Sequence, residues 1–446
     1  MFNRGTFWRA AVKTIPGVVE QLSNRQLPAL FTSPWFGIAF ASLAACKGRI
    51  AVSKLAGASA LRALGFASVI SLAVALVPTA ASAQFVCAGS ADGNAPLTGA
   101  SATAAGAAGN VACGPTANAS GAVDPGTANT AFGNTANASG NSSANTSTGS
   151  LANSSGDGSK NSAFGRESNA SGPTSVNTAS GYLANASGVA SFNTASGFFA
   201  DASGGGSANA AFGSTATVSG NSSSNIASGN SANASGNFSQ NAAFGRGANA
   251  SGISSFNTAS GFLANASGNG SNNIASGGSA NASGNGSFNT ATGDSSLAFG
   301  AGSANTASGL NSNASGVGSF NTATGFGAVA NGDGSNNAAY GRGATANGAG
   351  SSNIASGIAS RADGDGTSSI ALGNTSYARA ASGFSNLAVG TNAAAGGTAV
   401  NLLTNAGATA LGVGAQAGST ALGQTNATAV GFQSQANAIE AVAVGL

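Results

Sequence analysis

The chain has 446 residues, 70 of them Gly, with 42% hydrophobic and only 6% charged side chains, no His, one Met and three Cys. That composition excludes most enzyme chemistry, because acid–base work at neutral pH leans on His or on carboxylates and lysines gathered in a pocket. Here carboxylates are few and scattered and no thiol has a His partner, so no catalytic residue, metal ligand or cofactor site is expected. The net charge of +3 splits unevenly: residues 1–83 hold eight Lys/Arg against one Glu, and the remainder six against ten acids. The bulk is faintly acidic, which leaves no basic surface for nucleic acid.

Residues 63–77 carry no charge, follow Lys47, Arg49, Lys54 and Arg62, and precede Pro78 and Ala81-Ser82-Ala83. This order reads as an extended export signal over 1–83, with cleavage after Ala83. The uncharged core is shorter than the roughly 20 residues of a membrane span. The long segment ahead of it, with a second uncharged run broken by Pro28 and Pro34, fits an extended signal or a start codon placed too early. After cleavage Cys87 and Cys113 remain. In an exported chain such a pair is expected to form a disulfide, worth about 3 kcal/mol by loop closure, that clamps an N-terminal cap over 84–128. Two free thiols are the alternative.

From Gly133 to Gly373 the glycines alternate in steps of seven and nine over 31 positions with none missing. A second column keeps the frame: every sixteenth residue from Asn129 to Asn353 is Asn, until Ser369 breaks it. Between glycines, small and variable residues alternate, as in Asn257-Thr258-Ala259-Ser260 and Ala264-Asn265-Ala266. Period two argues strand, and Gly at fixed spacing argues tight turns with positive φ. Two short strands and two turns per sixteen residues make one coil of an all-β solenoid. A helix would carry a Gly every seven to nine residues, each costing about 1 kcal/mol, and is excluded. Pro is absent after Pro173, as stacked parallel strands that commit each N–H to a neighbour require.

The span 129–373 is therefore read as regular coils and 374–446 as looser ones. Disorder is the rival reading, since Leu, Ile, Val and Phe make up only 31 of 245 residues in the regular span. Strict register and near-neutral charge, five basic against seven acidic residues, favour order. Ala columns such as Ala248, Ala264 and Ala280 suit a thin interior, and the stacked Asn column could form a ladder of amides, each donating to the next. So thin a core is expected to hide its large apolar residues against copies of itself. Phe192, Phe256, Phe288 and Phe320 share one column, and Phe132, Phe164, Phe212 and Phe244 another. These either face a subunit interface or fill the roll.

Beyond the regular span the strings Leu387-Ala-Val-Gly390, Thr409-Ala-Leu-Gly412, Thr420-Ala-Leu-Gly423, Thr428-Ala-Val-Gly431 and Val442-Ala-Val-Gly445 continue the Ser369-Ile-Ala-Leu-Gly373 pattern and read as strands ending in a Gly turn. Ser-x-Ala-(Ile/Leu/Val)-Gly followed by a further small-residue strand resembles the head repeats of YadA-like trimeric autotransporter adhesins of Gram-negative bacteria. The resemblance covers about residues 117–446 and is closest at 368–446. It implies a left-handed parallel β-roll, a compact homotrimer, and a place at the tip of a fibre held in the outer membrane. The middle repeats depart from it by reading Asn-Thr-Ala-Ser-Gly, with Ser where the family has a large aliphatic. No coiled-coil heptads and no amphipathic strands ending in an aromatic residue appear, so stalk and membrane anchor are not expected in 374–446.

Asp333, Asp363 and Asp365 form a sparse acidic spot, and Gly332-Asp333-Gly334 is superficially similar to calcium-binding nonapeptides, which need an Asp in every repeat. Gly204-Gly205-Gly206 reads as repeat turns rather than a phosphate loop, since no helix follows. Arg166, Arg246 and Arg342 occupy equivalent sites after Phe-Gly or Tyr-Gly, either as a row of surface charges or as ligand contacts. The expectation is a non-enzymatic adhesin head, on the cell surface or secreted. It would bind an extracellular matrix protein, a cell or an abiotic surface, gaining avidity from many equivalent coils. An ice-binding solenoid and a functional amyloid are the readings from other classes.

Overall fold

The computed structural model describes residues 101–122, 126–398, 400 and 403–445, with the backbone of 87–89. The export signal over 1–83, the cleavage point at Ala83 and most of 84–100 lie outside the described residues. The rest is an all-β parallel solenoid of about 20 coils.

Each coil contributes one three-residue strand to a 22-stranded sheet. Neighbours stack in parallel with no slippage: Thr258, Ala259 and Ser260 oppose Ile274, Ala275 and Ser276, and these oppose Thr290, Ala291 and Thr292. The returning side of the coil is thinner. It makes one parallel bridge per coil, such as Asn137 to Asn153 and Asn153 to Asn169, and widens into a six-stranded sheet only from Thr345 onward. The interior between the two sides is packed with Ala methyl groups beside columns of buried Asn and Ser. Ala259, Ala264 and Ala266 of one coil are fully buried, and Val218 is the one larger aliphatic buried among the described residues. Side chains this small let the two layers approach closely.

The column from Asn129 to Asn353 is buried inside this roll, but it does not form the amide-to-amide ladder expected of it. Asn241 shows what it does instead. Its Oδ1 accepts the backbone N–H of Asn257 at 3.0 Å and the Ser255 hydroxyl at 2.9 Å, while its Nδ2 donates to the carbonyls of Gly252 at 2.9 Å and Ser235 at 3.3 Å. All four bonds a primary amide can make are made, which is what permits burial. Each Asn thereby tells the next coil where its strand begins. The amide ladder exists in a different column, on the half-exposed returning side: Asn137 donates to Asn153 at 3.1 Å and Asn153 to Asn169 at 3.2 Å.

Gly serves the turns in two ways. At Gly229 φ is 144°, a region that side chains rarely enter, and a Cβ there would sit 2.4 Å from the Gly245 carbonyl oxygen of the next coil. At the turn leaving the long sheet the left-handed position itself is mostly not Gly, contrary to the simple expectation, whereas at the opposite turn it is Gly in every coil from Gly270 to Gly366. Leu183, Phe199 and Leu263 hold φ of 53–54°. The cost of about 1 kcal/mol each is offset by N–H bonds to the preceding coil, such as Phe199 to the Tyr182 carbonyl at 3.0 Å.

The coil pattern begins inside the segment read as a cap: Val111–Cys113 already stacks in parallel on Thr130–Phe132. On its other side Val111–Cys113 pairs antiparallel with Cys87–Gly89, which covers that sheet edge.

Candidate functional site

Three surfaces follow from the coil. The first is the outer face of the long sheet. Along one strand, Asn193 and Ala195 point inward while Phe192, Thr194 and Ser196 point out. Both Phe columns therefore lie outside the roll, which settles that they do not fill it. Phe192 and Phe288 are 64% exposed and Phe132 is 41% exposed. Between the two columns runs a third of Thr with Ile226, Ile274, Ile354 and Ile370. Burying a Phe contributes about 2 kcal/mol, so a face of this composition is poorly suited to water.

The second surface is the edge formed by the turn that leaves this sheet. Here side chains stand out as a ridge. Tyr182 and Phe198 stack with centroids 5.5 Å apart, and Phe199 packs edge-on against Phe198 at 4.5 Å. The three arginines predicted to be equivalent all lie on this edge, each laid over a ring of an adjacent coil: Arg166 on Tyr182 at 5.6 Å, Arg246 on Phe262 at 5.7 Å and Arg342 on Phe326 at 5.8 Å. Arg166 also pairs with Glu167 at 2.8 Å. This aromatic column was missed from sequence; its signal is a large residue directly after a turn Gly, diluted by Ser and Asn in other coils.

The third surface is the opposite edge, where the turn returns to the long sheet. Its Ser, Gly and Asn leave a longitudinal groove of about 960 Å³ from Ser203 to Ala301, with further stretches of about 710 Å³ from Ala105 to Pro173 and about 370 Å³ from Phe299 to Asp333. One wall is a row of side-chain acceptors. Asn269 Oδ1 takes the N–H of Ile253 at 2.9 Å, and Asp333 Oδ1 takes that of Val317 at 2.9 Å. Asp333 thus replaces Asn in a structural row, and Asp365 does the same toward Ala349.

Asp363 is not brought together with Asp333 or Asp365. It pairs with Arg361 and lies 3.8 Å from Arg379 Nε. Arg379 is buried, which pulls its pKa below the ordinary value while Asp363 opposes that shift. Among the described residues no three His, Cys, Asp or Glu side chains converge as a metal site would require. Cys113 is disulfide-bonded, and the antiparallel register sets Cys87 directly opposite it. No protein-family profile and no curated protein matches this chain.

Proposed function

We propose that this chain is the head of an exported adhesin, a left-handed β-roll that functions as a homotrimer similar to YadA-like heads. The observation that carries the proposal is the open face of the long sheet, where exposed Phe recur from Phe132 to Phe320 among Ser, Thr, Ala and Asn, on a solenoid whose own core is Ala, Ser and Asn. Three copies around an axis parallel to the stack would turn that face inward. The remaining surface, repeated in three copies at every coil, would contact a matrix protein, a cell or an abiotic surface with avidity. A Cys87–Cys113 bridge, supported by the register of those two residues, would hold the covering strand in place outside the cell. Ice binding is not favoured, because Phe132, Phe164, Phe212 and Phe244 interrupt the flat ranks of Thr and Ser.

Sedimentation equilibrium of the exported chain tests the assembly, with an expected mass three times that of one chain. Changing Phe192, Phe256, Phe288 and Phe320 to Ser should dissociate it while leaving the far-ultraviolet circular dichroism unchanged. A monomeric native chain sinks the trimeric reading. A trimer that adheres to no coated surface or cell sinks the adhesive one.

A further inference from the structure

Ridge and groove lie at opposite ends of every coil, and their side chains match each other level by level. The match is found by pairing a groove residue with the ridge residue nine positions later in sequence. Asp157 then faces Arg166, and Asp333 faces Arg342. Apolar meets apolar at Val189 with Phe198, Ile253 with Phe262 and Val317 with Phe326; uncharged polar meets uncharged polar at Asn221 with Asn230. The one bulky side chain in the neighbouring groove column, Phe238, falls opposite Gly247. Pairing seven positions earlier instead sets Asp333 against Phe326, Ile253 against Arg246 and Asp365 against Ile358. Within one chain these partners cannot meet, because a whole strand separates the two turns.

We infer that the ridge of one copy seats in the groove of the next, at the same height and in this nine-residue register. The occupant of the groove is thus a second copy of this chain. Three observations support it: opposite charges meet at two distant levels, apolar residues meet between them, and a projecting edge faces a concave one. Stacking on a ring limits the rotamers of both arginines on the ridge, and because Arg166 also pairs with Glu167, Arg342 with Asp333 is the cleaner of the two charge matches. Contact between two different edges is heterologous, and it closes into a ring when the rotation permits. The inference rests on the trimeric reading above and adds which edges touch and in what register.

Cysteine trapping tests it in the full exported chain. Asn221→Cys combined with Asn230→Cys should, under mild oxidation, give a covalent species of three chains on a non-reducing gel. Asn221→Cys combined with Ser214→Cys, the competing register, should give none. Both groove and ridge columns already vary freely, with Val189, Gly205 and Pro173 in one and Ser150 and Ile358 in the other, so these variants should fold. Charge reversal supplies a second readout. Asp333→Lys or Arg342→Glu alone should weaken assembly about ten-fold at low salt, and the two together should restore it. A sedimenting trimer that is not trapped by the first pair overturns this register and leaves the trimer standing. A native chain that stays monomeric overturns both.

Discussion

Between residues 129 and 373 each coil copies the one before it; beyond Gly373 the strands of the long sheet begin at Leu387, Thr409, Thr428 and Val442, in steps of 22, 19 and 14, and Thr420-Ala-Leu-Gly423, expected as a strand, is instead a turn whose N–H groups bond the Gln424 side chain. In the regular part the bonds of one buried Asn recur sixteen residues later, as those of Asn241 do at Asn257, so a single arrangement, solved once, serves coil after coil. In the irregular part each group needs a partner of its own. Asn405 donates to the carbonyls of Gly418 and Ala421 at 2.6 and 2.7 Å and accepts the Gly423 N–H at 2.9 Å. The buried-amide device survives there, but with partners that no periodicity announces. Near the first break it is incomplete: Arg379 Nη1 and Asp363 Oδ1 are buried without a hydrogen bond.

The largest effect that would break this comparison lies at the turn glycines. Gly229→Ala places a methyl against the next coil's backbone in a stack that has no room to part. We expect a loss of about 4 kcal/mol, read from the urea midpoint. Gly383, in the looser region, has φ of 80°, and a methyl added there would meet no atom within 4 Å, so Gly383→Ala should cost only about 1 kcal/mol. Equal losses at the two sites would show that φ, rather than contact between coils, dictates Gly in the repeats.

Next comes the buried Asn column. Asn241→Ala leaves the Asn257 N–H unpaired in the interior and takes one of two donors from each of the Gly252 and Ser235 carbonyls, and about 3 kcal/mol should be lost. Asp363→Asn follows, at about 2 kcal/mol, because it leaves the Arg379 guanidinium buried without a counter-charge. If Asp363→Asn is neutral by the same urea measurement, the cluster contributes nothing to the change of step.

Much of this was legible in the sequence, and the limits are physical. Strand period, turn spacing and order all follow from Gly133 through Gly373, because coils of equal length bring equivalent residues into register. The partners of the buried Asn column were misjudged because amide-to-amide and amide-to-backbone bonds share one sequence signature, a repeated Asn. Only the side of the sheet on which Asn241 lies distinguishes them. Leu183 and Phe199 in the left-handed region escaped notice because local preference disfavours them there, and stacking overrides it. The Arg361, Asp363 and Arg379 cluster spans two coils of the narrow sheet and falls outside any repeat. The two edges show no shared pattern until the roll places them back to back.

The smallest expected effect is the sharpest test of which ladder organises the stack. Asn249 lies eight residues from Asn241 and belongs to the half-exposed amide ladder, accepting from Asn233 at 3.4 Å and donating to Asn265 at 3.2 Å. Its Oδ1 also takes the N–H and hydroxyl of Ser251, a local turn that competes with strand and explains why this side is one bridge wide. Water can replace each of these bonds, and the column already accepts Thr217, Leu297 and Val329 with the backbone bridges intact. Asn249→Ala should therefore cost about 0.5 kcal/mol, several-fold less than Asn241→Ala by the same urea midpoint. A loss at Asn249 as large as that at Asn241 would move the organising role from the buried amides to the exposed ones. A small one means that the ladder most visible on the surface is a consequence of the register that the buried column sets.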